Sequence, residues 1–438
     1  MQAQTCALIE FNRQVYNQLF EDSRRFFREL DRRVKAALVS IGIYNWAQQL
    51  TYQYNILYAN SLGANGVQIG LLNGLSAIVA SISSVPIGHA VEKYTIKKTM
   101  LLGITLDIVS VTICILAGNW WILIPVFILH GKLVRVIPLA DVTFTTFTEP
   151  HRRSTVMGLS RLVWGILNVF TPIAAAIIVA YFGGINAQGI RPLYYVEGAL
   201  YAVAFVVLAK GMGTTRSDSN GEKSGSRGTS LIQHYREFFK DGKYLKRWIA
   251  IRIVRDFAVG LSVAFIPLWM VNVKGATPYI FGTAITLSVI VFFFLSIPVG
   301  RLADKIGRKK TFYLFTPFYY LGTILLISAP SPEYLIIAAG LLGAGIGGVG
   351  GTGGGIGGVA FTPFITMFWE TAPPEKRGRW FGIEGLITGL STLPSSIIAG
   401  ILWEQGLMTE VLLIPILLQA LVVIPMLSTV PDTLVSKQ

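Results

Sequence analysis

The chain has 438 residues, of which 53% are hydrophobic and only 14% charged, and its mean hydropathy is +0.58. Soluble proteins carry about 25% charged residues, so the composition excludes a string of water-exposed domains. The net charge of +14 would suit a nucleic-acid partner, but the basic residues sit in short loops between apolar runs, which argues for orientation in a membrane instead.

Residues 1–34 place Val15, Tyr16, Leu19, Phe20, Phe26, Phe27, Leu30 and Val34 at helical spacing between "EDSRR" and "RELDRR". This fits an amphipathic helix on the inner headgroup layer or, equally, one packed on the chain's own loops. The segment lacks the apolar core of a cleavable signal peptide. Apolar runs long enough to cross a bilayer as helices follow at 36–58, 67–89, 99–117, 119–142, 155–181, 191–211, 247–271, 277–299, 311–329, 334–368, 380–403 and 408–430. They are too long and too evenly apolar for barrel strands. Twelve membrane helices are expected, six in a bundle over 35–212 and six over 247–430, with a linker at 213–246 and a tail at 431–438. With a cytoplasmic N-terminus, 30 of the 37 Lys and Arg fall inside and 2 outside. That asymmetry puts both termini in the cytoplasm and the basic loops against anionic headgroups. Cys6 and Cys114 imply neither a disulfide framework nor a metal site.

The loop after the second span reads "SVPIGHAVEKYTIKKTM" (84–100), and "SIPVGRLADKIGRKKTF" (296–312) repeats it 212 positions later. The same ungapped offset pairs Gly63–Thr99 with Gly275–Thr311, and 14 of those 37 pairs are identical, Gly63, Gly70, Pro86 and Gly88 among them. A period of about 200 residues marks a duplicated bundle, not a solenoid unit. An even number of spans per half leaves the halves parallel about an axis along the membrane normal. A second repeat, "EPHRRSTVMG" (149–158) and "PPEKRGRWFG" (373–382), has an offset of 224, so about twelve residues have entered the second half between spans 9 and 11.

Between the halves, "GTTRSDSNGEKSGSRG" (213–228) reads as a flexible linker, and Leu231, Ile232, Tyr235, Phe238 and Phe239 mark a second surface-lying helix. The extra residues of the second half fall in "GLLGAGIGGVGGTGGGIGG" (340–358). Gly343, Gly345 and Gly348, with Glu370 some way on, imitate a dinucleotide fingerprint. The segment lies between membrane spans, where one strand–helix unit makes no sheet, so no nucleotide cofactor is expected. The glycines either let helices approach closely or break the tenth helix so that backbone groups face a cavity.

Polar residues inside spans are costly and face the bundle interior or water. In the first span Asn45, Gln48, Gln49, Tyr52, Gln53 and Asn55 cover roughly 160° of one helix face, as cavity lining or as glue between helices. Five cations lie within spans, Lys132, Arg135, Arg161, Arg252 and Arg255, and the acids there are Asp107, Asp141, Asp256 and Glu384. Asp107, Asp141, Arg161 and Glu384 sit near the cytoplasmic ends, as members of a latch network would. Arg252 and Asp256 are spaced i, i+4 and can neutralise one another. Lys132 and Arg135 share a face near mid-membrane, where they attract a carboxylate or phosphate or pair internally. His130 can titrate near neutral pH and couple proton movement, or serve as an interior hydrogen-bonder.

"GRLADKIGRKK" (300–310) resembles the signature Gly-x-x-x-Asp-(Arg/Lys)-x-Gly-(Arg/Lys)-(Arg/Lys) of the major facilitator superfamily, in the equivalent loop. Twelve spans, a polar loop between the sixth and seventh, and a weaker first copy agree with that family. The resemblance implies an all-α membrane protein of two pseudo-symmetric six-helix bundles. It also implies secondary active transport by rocker-switch alternating access, with a cavity lined by spans 1, 4, 7 and 10. It carries a cytoplasmic latch onto Gly300, Asp304, Lys305, Gly307, Arg308 and Lys309. Here Gly300 serves close packing, Gly307 the turn, and Asp304 a contact with helix N-termini and cations across the halves. The first copy keeps Gly88 and Lys93 but has Glu92 for Asp, Thr95 for Gly and Ile96 for a base, so a latch there is in doubt. On the cavity-lining spans the substrate-binding candidates are Asn45, Gln49, Tyr52, Lys132, Arg135, Arg252, Arg255 and Asp256, with His130 for proton coupling.

The in-span cations lean the expected substrate towards an anionic or polar organic solute. A proton-coupled drug or metabolite efflux antiporter is the alternative. The fifth span keeps Gly165, Pro172, Gly183 and Gly184 but no full antiporter motif, which counts against that reading. A non-transporting receptor or scaffold on the same fold is the alternative from another class. No phosphate-binding loop points to a pump, and four scattered histidines with no nucleophile–base arrangement point to no enzyme. The expected partners are a small solute, with or without a co-transported proton or other ion, and the bilayer of the plasma membrane. The chain is expected to work as a monomer, without metal, cofactor or nucleic acid.

Overall fold

The computed structural model describes residues 29–83, 95–130, 136–149, 152–212, 245–345, 358–371, 377–430 and 432. Of the expected amphipathic segment 1–34 only residues 29–34 fall within them, with Leu30 and Val34 buried; the second amphipathic helix, marked by Leu231–Phe239, and Gly88, Glu92, Lys93, Lys132 and Arg135 lie outside. All regular structure among the described residues is helical. Span 1 is built from α1 (Arg32–Tyr52) and α2 (Asn55–Ser61), span 2 from α3 (Gly66–Ser83) and span 3 from α4 (Ile96–Leu116). Span 4 holds α5 (Ile124–His130) and α6 (Val136–Thr146), span 5 α7 (Arg153–Tyr181) and span 6 α8 (Ala187–Gly211). In the second half, span 7 comprises α9 (Leu245–Ser262), α10 (Phe265–Leu268) and a π-turn at Trp269–Val273, followed by α11 (Pro278–Ile306) and α12 (Arg308–Ser328). Span 10 consists of α13 (Tyr334–Ala344) and α14 (Phe361–Thr371), span 11 of α15 (Arg377–Glu404), and span 12 of α16 (Met408–Leu418), a second π-turn and α17 (Ile424–Ser428). Among the described residues, eight spans are continuous, long and apolar enough to cross a membrane. Spans 1, 7 and 10 come in shorter pieces, and span 4 is described on either side of residues 131–135.

The repeat in the sequence is a repeat of structural jobs. Gly63 and Gly275 both turn the chain at positive φ, 92° and 68°, a region that favours glycine. Three residues later, in each half, α3 and α11 start. Asn65 accepts from the Gln68 N–H at 2.9 Å and Thr277 from the Ile280 N–H at 3.3 Å, so each helix has a side-chain N-cap. Lys97 and Lys309, also 212 apart, each reach the carbonyls that end the sixth helix of their half. Lys97 donates to Ala209 O (2.7 Å) and Met212 O, and Lys309 to Ser428 O (3.1 Å) and Val430 O. A cation at a helix C-terminus satisfies free carbonyls and meets the negative end of the dipole. These lysines therefore staple the third helix to the sixth within each bundle.

The halves meet through two helix pairs that the repeat interchanges, α3 with α15 and α7 with α11. Gly70 and Gly282 are repeat partners, and each marks the closest approach. A Cβ on Gly70 would strike the backbone of Ser396, and one on Gly282 would lie 2.8 Å from Pro172 O. Along α3 and α15, Asn73 donates to Ser396 Oγ (2.9 Å), Ser81 to Gly385 O (2.6 Å) and the Gly66 N–H to Glu404 Oε1 (2.5 Å). At the membrane face opposite the basic loops, Asn272 Nδ2 donates to Asn60 Oδ1 at 2.9 Å. The two asparagines are again 212 positions apart, so the pseudo-twofold axis passes between them. Tyr54 adds an edge-on contact with Phe281 of the other half, ring centroids 5.4 Å apart.

The tenth span shows where the extra residues went. α13 stops at Ala344 and α14 starts at Phe361, yet Val359 N–H donates to Gly343 O (3.1 Å) and Ala360 N–H to Gly345 O (3.1 Å). The Val359–Gly343 separation is the four of a helical bond plus the twelve inferred from the two repeat offsets. The helix is thus interrupted by an insertion and rejoined. One expectation needs correction. A Cβ at Gly300 would meet nothing within 4 Å, so this glycine mediates no close helix approach among the described residues.

Two outcomes check this architecture. Gly70→Val is expected to lower stability by about 1–3 kcal/mol through overpacking, read from thermal unfolding, while Gly158→Ala, where a Cβ meets open space, does not. Asn60→Cys/Asn272→Cys, in a chain with Cys6 and Cys114 changed to serine, is expected to form an oxidative cross-link; free thiols after oxidation would contradict the joined ends.

Candidate functional site

The strongest polar centre of the second half lies on α9. Arg252, Arg255 and Asp256 recur at i, i+3 and i+4 and so share one face, and all three are buried, at 3%, 6% and 4% exposure. Asp256 is gripped by both cations: Arg252 Nη2 lies 3.1 Å from Oδ2 and Arg255 Nη1 2.9 Å from Oδ1. Thr388 of α15 completes the ring, donating to Asp256 Oδ2 at 2.8 Å and accepting from Arg252 at 3.2 Å. α14 supplies an aromatic wall. The Arg255 guanidinium sits 4.2 Å from the Phe361 ring centre and 5.2 Å from Phe364, and that of Arg252 5.8 Å from Phe368. Cation–π contact of this kind strengthens as water is excluded. The i, i+4 pairing expected of Arg252 and Asp256 is present, with Arg255 as a third member.

In the first half, Asn45 donates to Asn168 of α7 at 3.3 Å, mid-way along both helices, and Gln49 and Tyr52 are half-buried further along α1. The polar stripe does not continue to Asn55. The helix breaks at Gln53–Tyr54, and Asn55 turns into the bundle to accept from Tyr194 at 2.9 Å. Next to the break, Gln53 Nε2 and Tyr54 Oη are buried with no hydrogen-bond partner among the described residues. His130 is half-buried at the end of α5, its ring 6.1 Å from Phe127.

The expected latch network divides differently. Asp107 faces inward: its carboxylate accepts from Tyr44 of α1 at 2.6 Å inside the first bundle, on the side of α4 that packs against α8. Asp141 pairs with Arg161 at 2.7 Å, and Arg161 lies over Trp164 at 4.9 Å. The side chain of Glu384 lies outside the described residues. Gly307 does make the turn, at φ 103°. Arg308 forms an ion pair with Glu370 at the end of α14 and lies 3.7 Å from Asp304. The Asp304 side chain is 70% exposed, so among the described residues its ionic partner is in its own half. Lys305 ends α11, and Lys309 is spent on the α17 carbonyls.

Asn168, Thr388 and, as an ion-pair partner, Glu370 were passed over in the sequence, as was Glu197 of α8, which accepts from Tyr201 at 2.8 Å. Glu197 carried a usable signal, a lone acid within an apolar run. Asn168 and Thr388 gave none, since small polar residues are common in membrane helices.

The sequence model of the Major Facilitator Superfamily matches residues 37–356 and 253–437. The chain is 30% identical over 122 residues to Multidrug resistance protein 3 of Bacillus subtilis (strain 168), a stretch that is 28% of this chain and 22% of that protein. It is 23% identical over 298 residues to the uncharacterized MFS-type transporter MJ1560 of Methanocaldococcus jannaschii, covering 66% of this chain and 72% of the other. The match to the first relative thus spans only about a fifth of its length. In structure it is similar to the nucleoside transporter NupG, with a TM-score of 0.68 at 13% identity over 90% of this chain and 100% of that one. The D-xylose-proton symporter follows, at 0.64 and 12% identity over 90% and 98%. At these identities the likeness concerns the fold.

Asp256→Asn removes the carboxylate that both arginines hold. It is expected to destabilise the chain by about 3–5 kcal/mol, the cost of breaking a buried ion pair, read as a lowered midpoint of thermal unfolding in detergent.

Proposed function

The chain belongs to the major facilitator superfamily, and from this and its buried guanidinium pair we propose that it is a secondary active transporter of a small anionic or polar organic solute. The observation that carries the substrate class is the placement of Arg252 and Arg255 together on α9, under the phenylalanines of α14. Guanidinium groups present planar forks of donors suited to carboxylate and phosphate oxygens. Thr388 and, across the axis, the Asn45–Asn168 pair offer neutral hydrogen-bonding groups for the rest of the solute. Lys132 and Arg135 of span 4 add to the cationic character of the same cavity-lining set.

The rocking motion has its bearing in the α3–α15 and α7–α11 contacts. With the ends at Asn60 and Asn272 joined, access is from the face of the basic loops, which is the cytoplasmic face of the plasma membrane. In the alternate state the asparagines part and Asp304 takes up partners from the other half. The name of the Bacillus subtilis relative favours a second reading, a proton-coupled drug or metabolite efflux antiporter. The incomplete antiporter stretch of span 5 weighs against it.

A thermal-shift screen of the purified chain against carboxylates, sugar phosphates, amino acids, nucleosides and cationic drugs selects solutes for flux measurements in proteoliposomes. Arg255→Ala is expected to lower the flux of an anionic hit at least about tenfold, equivalent to about 1.4 kcal/mol, with Arg255→Lys intermediate. Hits confined to cationic drugs would support efflux, and absence of saturable flux for every hit would point to a receptor or scaffold.

A further inference from the structure

The duplication makes two seams between the halves, α3 against α15 and α7 against α11, and their residues have diverged. The offsets of 212 and 224 pair each position of one seam with its counterpart in the other. The contacts obey that pairing. Gly70 meets Ser396 where Gly282 meets Pro172, and Gly389 meets Ser81 where Gly165 meets the Phe293 ring.

The α3–α15 seam is hydrogen-bonded at three heights. At the end opposite the basic loops Glu404 accepts from the Gly66 N–H (2.5 Å), half-way along Ser396 accepts from Asn73 (2.9 Å), and nearer those loops Gly385 O accepts from Ser81 (2.6 Å). Ser396 also donates to Gly260 O at 3.2 Å, which ties α9 into the same line. In the α7–α11 seam the counterparts of Gly66, Asn73 and Ser81 are Pro278, Ile285 and Phe293, and those of Glu404 and Ser396 are Ala180 and Pro172. Proline has no N–H, and none of these five carries a polar side-chain atom. Among the described residues no hydrogen bond crosses this seam. Thr286, one turn from Gly282 on α11, keeps a buried hydroxyl without a partner there.

We propose that the two seams have divided the work of movement: α3–α15 is a hinge that stays joined, and α7–α11 is the seam that slips and parts. The reason lies in the surrounding solvent. A hydrogen bond broken between helices inside lipid leaves a donor and an acceptor with no water to take them up. An apolar contact given up there is replaced by acyl chains as apolar as the side chains they cover. Parting α7 from α11 therefore costs packing alone, whereas parting α3 from α15 also strands polar groups. The hinge deepens the rocking movement of the proposed transporter and takes its purpose from that reading, while the difference in mobility between the seams does not depend on it.

The repeat supplies matched probe positions for the test. Ile82 and Leu390 flank the first seam, and their counterparts Phe294 and Ile166 flank the second; all four are exposed. Spin labels are attached to Ile82→Cys/Leu390→Cys or to Ile166→Cys/Phe294→Cys in the full chain, with Cys6 and Cys114 changed to serine, in lipid nanodiscs. Electron paramagnetic resonance then reads the spread of distances within each pair. A single narrow distance is expected for the first pair and a broader or two-component spread for the second. Equal spreads, or a broader one for the first pair, overturn the proposal. Asn73→Ile/Ser81→Ala is expected to broaden the first pair and leave the second unchanged. Should that variant fail to fold by circular dichroism, Glu404→Ala is expected to broaden the first pair, and Glu404→Gln, which keeps an acceptor for Gly66, is not. A first pair indifferent to both Asn73→Ile/Ser81→Ala and Glu404→Ala also overturns the proposal. With an anionic hit from the solute screen, a thiol cross-linker across Ile82→Cys/Leu390→Cys is expected to preserve flux and one across Ile166→Cys/Phe294→Cys to abolish it; the reverse pattern overturns the hinge. Unequal spreads in a chain that shows no flux leave the hinge standing and remove the transporter reading.

Discussion

Lipid tails are as apolar as leucine, so nothing like the hydrophobic effect presses membrane helices together. The two halves of this protein are held instead by backbone-to-backbone contact along small residues, and the rest of the structure depends on that constraint. Gly66, Gly70 and Gly400 bring α3 and α15 together so closely that a Cβ at any of them would meet the opposite helix at 3.0 Å or less. Gly282 does the same for α7 and α11. Close approach at points along the helix pairs leaves relative tilt as the natural freedom. Within each bundle the lysine staples, Lys97 and Lys309, tie the third helix to the sixth, so the bundles are suited to move as units.

The two bundles share a scaffold and differ in chemistry. Positions that shape the fold recur across the duplication: the turn glycines, the N-caps, the close-contact glycines and the stapling lysines. The buried polar centres do not recur. The first half encloses Asp107 and Glu197 with two tyrosines, whereas the second encloses Arg252 and Arg255 around Asp256. Duplication supplied a symmetric frame, and divergence placed different polar side chains on its two sides.

Much of the frame was legible in the sequence because it is written in features that survive without a structure. Long apolar runs give the spans, and the mismatch between offsets of 212 and 224 located an insertion whose ends the backbone hydrogen bonds at Gly343 and Val359 rejoin. The site was less legible because it depends on which way a helix face turns. Asp107 was assigned to the loop end of its span by position, yet α4 directs it inward to Tyr44. Asn55 was placed on the polar stripe by assuming an unbroken helix, and the break at Gln53–Tyr54 turned it away. Gly300 took a packing role from its motif that the surrounding space does not require. Glu370, noticed only as part of an imitation nucleotide motif, is the ion-pair partner of Arg308.

The meeting of Asn60 with Asn272 restricts what chemistry can stand there. A residue on a twofold axis faces its own duplicate, as at an isologous interface. A lysine would have met a lysine and an aspartate an aspartate, each pair repelling across the joint. A carboxamide carries both a donor and an acceptor, so two copies of one side chain bond to each other without any further change. At its birth, a fused tandem gene for this protein could have closed one end of its pathway with a residue that both halves already possessed.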